Sequence, residues 1–215
     1  MHEVLIKFGF IRAFADDCLY IKCYEERIVL LILVYVDDMA VVGPDGCHIV
    51  SFKSFLGNNF EITDLDKLKH MLEVLVTRDC LKHLIYLNQT AYIQRTIACF
   101  GLENSTLVSI PFIVKHDLTL SQLPTTEAEM CAYKDYSSNL HYLSLVGSLL
   151  FVIQTRPDIQ FVVGLVTQFS NNPGIAYLEA AKHILCYLKS TTNYNLVLEK
   201  REEGKFNLVR WSNSN

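Results

Sequence analysis

The stretch IVLLILVYVDDMAVVG, residues 28–43, decides how this chain is read: two apolar runs, 28–34 and 39–42, flank Tyr35-Val36-Asp37-Asp38, and Gly43 closes the second. Both runs are rich in β-branched and other apolar residues, so they form a two-strand hairpin with its turn at the Asp pair. Two adjacent carboxylates at the tip of so apolar a pair repel each other and resist desolvation unless a cation neutralises them. The chemistry with this need is phosphoryl or nucleotidyl transfer, in which paired carboxylates hold magnesium near a triphosphate. An Asp pair between two strands is also an ordinary solvated turn, so the surrounding sequence has to decide.

Outward from the hairpin the pattern is α+β. Residues 19–23 read as a further antiparallel strand, and residues 48–56 as a helix with Ile49, Phe52, Phe55 and Leu56 on one face. Residues 71–76 and 84–87 read as a second hairpin across 77–83. Thr90 is placed to cap a helix carrying Tyr92, Ile93, Ile97 and Phe100, ended by Gly101. Residues 107–138, with Pro111, Pro124 and many Thr, Ser and Glu, read as a linker. Three helices follow, over 139–154, from a Thr155/Asp158 capping box to about 170, and over 176–189 after the Asn171-Asn172-Pro173-Gly174 stop. Residues 195–198 and 206–211 are expected to close the chain as an antiparallel pair. Capping and packing account for these later motifs without any chemistry.

Tyr-Val-Asp-Asp after an apolar strand resembles the catalytic hairpin of reverse transcriptases, specifically those of copia-type long-terminal-repeat retrotransposons. Further matches run in order: Gly9-Phe10, Asp16 and Cys18-Leu19-Tyr20 before the hairpin; Phe60, Thr63-Asp64-Leu65, Leu68-Lys69 and Leu72 after it; then Leu87, Gln89, Tyr92-Ile93 and Phe100-Gly101-Leu102. Pro111 falls where the family has Thr-Pro. Residues 145–150, Thr155-Arg156-Pro157-Asp158-Ile159, Ala180-Ala181-Lys182 and Tyr187-Leu188-Lys189 resemble its connection region.

The resemblance implies a partial palm, an antiparallel sheet with helices, over 1–66. A primer-grip-like hairpin and thumb helix follow over 67–106, a linker over 107–138, a helical connection region over 139–194, and the start of a ribonuclease H-like domain over 195–215. It implies Mg2+- or Mn2+-dependent DNA synthesis on an RNA or DNA primer-template, with Asp37 and Asp38 as catalytic metal ligands and Tyr35 and Val36 lining the floor near the primer end. A further metal-binding Asp is expected on a strand upstream of residue 1, so the isolated chain is expected to be inactive and to depend on upstream polyprotein segments. The alternative is a relic or domesticated protein, non-catalytic, that binds nucleic acid or serves structurally. Departures from the family pattern are Asp66 and Glu73 in place of glycines that positive φ or close approach would require, Tyr177-Leu178 in place of His-Trp, and Asn213 in place of a metal-binding Asp.

Composition bounds these readings. At 215 residues and 51% hydrophobic, the chain can bury one or two cores. Its apolar runs are far shorter than the roughly 20 residues of a membrane span, and residues 1–3 lack a signal pattern, so an intracellular, non-secreted protein is expected. Seven Cys form no Cys-x-x-Cys pair and read as reduced, mostly buried thiols. The net charge of −4 opposes nucleic-acid affinity, but it is uneven: residues 1–66 hold 5 basic and 11 acidic side chains, residues 67–100 hold 5 and 2. Lys67, Lys69, Arg78, Lys82 and Arg95 in the second segment are candidate phosphate contacts, and equally the solvated faces of strands and a helix.

Overall fold

A computed structural model describes residues 1–112, 118, 122–137 and 141–199. The chain divides into two compact units, Met1–Met71 and Leu72–Asn215.

In the first unit, helix α1 (His2–Lys7) leads into strands β1 (Ile11–Arg12), β2 (Leu19–Tyr24), β3 (Arg27–Tyr35) and β4 (Asp38–Val42), which form one antiparallel sheet in the order β1-β2-β3-β4. Helix α2 (Gly46–Gly57) follows, with Asp45 as N-cap accepting the Cys47 amide proton at 3.0 Å, and the short β5 (His70–Met71) ends the unit. Alternate residues of the sheet, Tyr20, Leu30 and Ile32, are buried with Leu5, Phe10, Phe52 and Leu56. The three- and four-residue spacing of Phe52 and Leu56 thus does what a helix face should. Gly43 is required by packing, because a Cβ there would lie 2.8 Å from the Val29 carbonyl oxygen.

The second unit holds β6 (Val74–Asp79), β7 (Leu84–Asn88), α3 (Thr90–Cys99), α4 (Glu127–Tyr136), α5 (Tyr142–Val152), a 3-10 turn (Pro157–Ile159), α6 (Gln160–Thr167), α7 (Ile175–Ser190) and β8 (Leu196–Glu199). Ile93 and Ile97 of α3 share a single core with Leu145, Leu149, Val163 and Leu185 from α5, α6 and α7. β8 returns to pair antiparallel with β7, Ile85 opposite Leu198. Its expected partner, 206–211, lies outside the described residues, as does Asn213.

Several local expectations are corrected. Thr90 is the first helical residue, not the cap: its amide is held by the Asn88 side chain at 2.7 Å and its hydroxyl donates to the Thr192 carbonyl at 2.8 Å. No Thr155/Asp158 capping box forms. Thr155 donates instead to Gln89 Oε1 at 2.7 Å, while Asp158 pairs with Arg156. The capping box lies at Thr126 and Glu129 and starts α4 inside the stretch read as a linker. The strand read over 71–76 is interrupted by Leu72 and Glu73, both in the left-handed region (φ +49° and +63°), and Asp66 is there too (φ +60°). The two charged residues that stand where the family has glycine therefore occupy a backbone conformation that costs a non-glycine residue about 1–2 kcal/mol. The thiols are not buried: Cys23, Cys47, Cys80, Cys99 and Cys131 are exposed, and Cys18 and Cys186 half-buried. Tyr177 and Leu178 are fully buried in the helical core, Tyr177 with its ring 4.4 Å from Phe169.

Arg156 is the principal polar tie of this unit. Only 2% exposed, it donates to both carboxylate oxygens of Asp158 at 3.0 and 2.7 Å and to the carbonyl and hydroxyl of Thr191, while the Tyr187 hydroxyl donates to Asp158 at 2.8 Å. Partial burial draws the Asp158 carboxyl upward, but the hydrogen bonds from Arg156 and Tyr187 outweigh it and hold the group below the usual carboxylate range. A depressed folded-state value gives stability that is complete above the unfolded value, about 4, and is lost as pH falls through the folded one. Asp158→Asn, which leaves a buried guanidinium without its counter-charge, is expected to lower the melting temperature strongly at pH 7, and the gap to the parent should narrow progressively below pH 4. Thermal melts across pH 2–7 check this; a gap independent of pH would refute it.

Candidate functional site

The hairpin forms in the register the sequence requires, from Leu31 opposite Val42 to Tyr35 opposite Asp38, leaving Val36 and Asp37 as a two-residue loop. Its base is fixed by Leu30, Ile32 and Ala40, which are buried, while all four tip residues are exposed. Tyr35 and Asp38 face each other across the strands and so present their side chains on one face of the sheet. Val36 is 82% exposed and has φ +52°, whereas Asp37 does not enter the left-handed region. Positive φ at the first loop position alone is the pattern in which glycine is preferred. A β-branched residue there is strained, and strain of this kind concentrates at functional sites.

Neither the Asp37 nor the Asp38 carboxylate has a hydrogen-bond or ion-pair partner among the described residues. Their hard oxygens are the donor type that magnesium or manganese takes. The set is a partial one, because no group of three or more His, Cys, Asp or Glu is placed to hold a metal among the described residues. The exposed tip also means that water meets the desolvation cost that the sequence reading assigned to a cation. Beside the tip, the Cys18 carbonyl accepts the Val34 amide proton at 2.9 Å, and Asp17 pairs with Arg12 at 3.2 Å.

The five basic candidates are not equivalent. Lys67 and Lys69 are exposed in the first unit with no ion-pair partner among the described residues. Arg78, Lys82 and Arg95 are exposed in the second, but Arg95 is paired with Glu73 and Lys82 lies 3.6 Å from Asp79. Sequence reasoning missed Lys53 of α2, which donates to both oxygens of Asp64 at 2.8 and 2.7 Å. An eleven-residue separation across an irregular loop carries no periodic signal from which that pair could have been read.

Among known proteins, the family described as Reverse transcriptase (RNA-dependent DNA polymerase) matches residues 1–114. The Retrovirus-related Pol polyprotein from transposon TNT 1-94 of Nicotiana tabacum is 35% identical over 85% of this chain and 14% of its own length. The corresponding polyprotein from transposon RE1 of Arabidopsis thaliana is 27% identical over 93% of this chain and 13% of its own length. The Uncharacterized mitochondrial protein AtMg00810 of Arabidopsis thaliana is 25% identical over 81% of this chain and 67% of its own. The chain therefore spans a small part of the Pol polyproteins it matches. No solved structure matches significantly.

The strain at Val36 is measurable. Val36→Gly should stabilise the first unit by about 1 kcal/mol, since relief of the left-handed β-branched residue exceeds the added entropy of glycine in the unfolded chain. Urea unfolding followed by a probe in that unit reads the change; destabilisation would show that the loop is unstrained.

Proposed function

The chain belongs to the reverse transcriptase (RNA-dependent DNA polymerase) family, and from that premise we propose that it is a copia-type polymerase segment that catalyses DNA synthesis only when joined to other parts of a Pol polyprotein. The observation that carries this reading is the β3–β4 hairpin, which holds two carboxylates without partners among the described residues at a strained, exposed tip over a buried base. Members of the family generally use divalent metals. Asp37 and Asp38 would hold Mg2+ or Mn2+, which would supply Lewis-acid charge neutralisation to a nucleoside triphosphate and a primer hydroxyl. Tyr35 and Val36 form the adjoining floor.

The sheet order leaves room for a further strand. β4 is the last strand, and its outer edge has no partner among the described residues. An unpaired edge beginning at Asp38 is a template for a further strand, and a carboxylate on such a strand would enlarge the partial ligand set. The first unit corresponds in this reading to the palm, and the second to primer-grip hairpin, thumb and connection. Because α3 shares one core with α5, α6 and α7, the thumb-like and connection-like segments are one body. Lys67 and Lys69, which have no ion-pair partner among the described residues, are the phosphate contacts this reading favours. They also support a second reading, a nucleic-acid-binding protein without catalysis. No helix among the described residues is long and apolar enough to cross a membrane.

Primer extension decides between these readings. The chain alone, with Mg2+ or Mn2+, should extend no primer on an RNA template. The same chain fused to the preceding segment of a related Pol polyprotein should do so, and Asp37→Asn should abolish the activity. Synthesis by the chain alone, or an Asp37→Asn fusion as active as its parent, would contradict the proposal.

A further inference from the structure

Residues 61–69 form neither helix nor strand, yet they carry Lys67 and Lys69, two exposed cations with no ion-pair partner among the described residues. One built feature holds their middle. Lys53, from the rigid α2, grips both oxygens of Asp64, and Asp64 Oδ1 also accepts the Asp66 amide proton at 3.0 Å, with Asp66 in the left-handed region. The clamp fixes where the chain turns immediately before Lys67. Both clamp side chains are partly exposed, and an exposed ion pair contributes little to folding stability. Its bidentate geometry nevertheless removes freedom from a loop that forms neither helix nor strand.

We propose that Lys53 and Asp64 are positioning residues that present Lys67 and Lys69 to the phosphates of a bound duplex. The proposal rests on the reading of Lys67 and Lys69 as phosphate contacts. The clamp has a second effect in the same direction. The loop carries Glu61, Asp64 and Asp66 beside its two lysines, and pairing Asp64 with Lys53 neutralises one carboxylate that would otherwise oppose an approaching phosphate. The Asp64 carboxyl lies below its ordinary range, chiefly through its hydrogen bond from Lys53, so Asp64 stays ionised throughout the neutral range.

Asp64→Asn separates positioning from simple charge. It keeps an oxygen that can accept the Asp66 amide proton, breaks the ion pair and adds one net positive charge. Charge alone predicts tighter binding with an equal or steeper salt dependence; loss of positioning predicts weaker binding with a flatter one. Fluorescence anisotropy with a labelled RNA–DNA hybrid over a salt series provides the readout. A Lys67→Gln/Lys69→Gln double variant should flatten the log–log salt slope by about 2. Asp64→Asn should flatten it by about 1 or more, and should change nothing further in the double-variant background. Amide hydrogen exchange should show residues 65–69 opening faster in Asp64→Asn while α2 and β2–β4 keep their protection, which excludes global unfolding as the cause. Asp64→Asn binding as tightly as the parent, or tighter, would overturn the positioning role while leaving the phosphate contacts standing. Equal slopes for the parent and the double variant would remove the contacts and the positioning role together.

Discussion

β3 is nine residues long and apolar from Ile28 to Val34, and nothing in the first unit can be arranged without burying its inner face. Leu30 and Ile32 point into the core beside Phe52 and Leu56 of α2, which fixes the register of β2 on one side and β4 on the other. A one-residue slip would turn that apolar set toward water. The chain can therefore reverse direction only at Val36 and Asp37, and the Asp pair is held at the tip by the core several residues away. The strain at Val36 is the local cost of that placement, and burial along the hairpin far exceeds it, since each fully buried aliphatic side chain contributes about 1.5–3 kcal/mol.

The second unit solves a different problem, tying segments remote in sequence into one body. Its helices bury a continuous aliphatic core, and its polar groups then fasten the ends. Asn88 donates to the Tyr194 carbonyl at 3.2 Å and to the Asn195 side chain at 3.0 Å, while Arg156 holds Thr191. The chain leaving α7 is thus bound to the turn entering α3, and β8 falls beside β7. Tyr136 of α4 donates to Glu179 of α7, and Lys182 lies 4.5 Å from the Tyr136 ring centroid. None of the residues of α4 is fully buried, and the helix is anchored by these polar contacts together with the half-buried Tyr133, which packs against the core.

What could be read from sequence follows from these two modes. The hairpin was legible from its continuous apolar runs on either side of the Asp pair, and α2 and α7 from three- and four-residue spacing at Phe52 and Leu56 and at Leu178, Ala181, Leu185 and Leu188. Helix α4 was not, since none of its residues is buried and its Thr-rich approach looks like linker. The Thr90 and Thr155 caps were misassigned because their hydroxyls have tertiary partners, Thr192 and Gln89, that local spacing does not reveal. At the candidate site the Asp pair and its loop were legible from the flanking strands. The exposure of the tip, the pairing of Arg95 and Lys82 and the Lys53–Asp64 clamp depend on neighbours that only the folded chain supplies.

The central claim is that the β3–β4 tip, with its unpartnered carboxylates, is the cation-facing point of the first unit. Paramagnetic broadening by Mn2+ of backbone amide NMR signals tests it directly, with the Glu25-Glu26 turn, another exposed acidic hairpin tip with positive φ, as an internal control. Signals of Val36, Asp37 and Asp38 should broaden at lower Mn2+ than those of Glu25 and Glu26, and Asp37→Asn should remove the difference. Equal broadening at both tips would mean that Asp37 and Asp38 are only a charged turn, and would contradict the account.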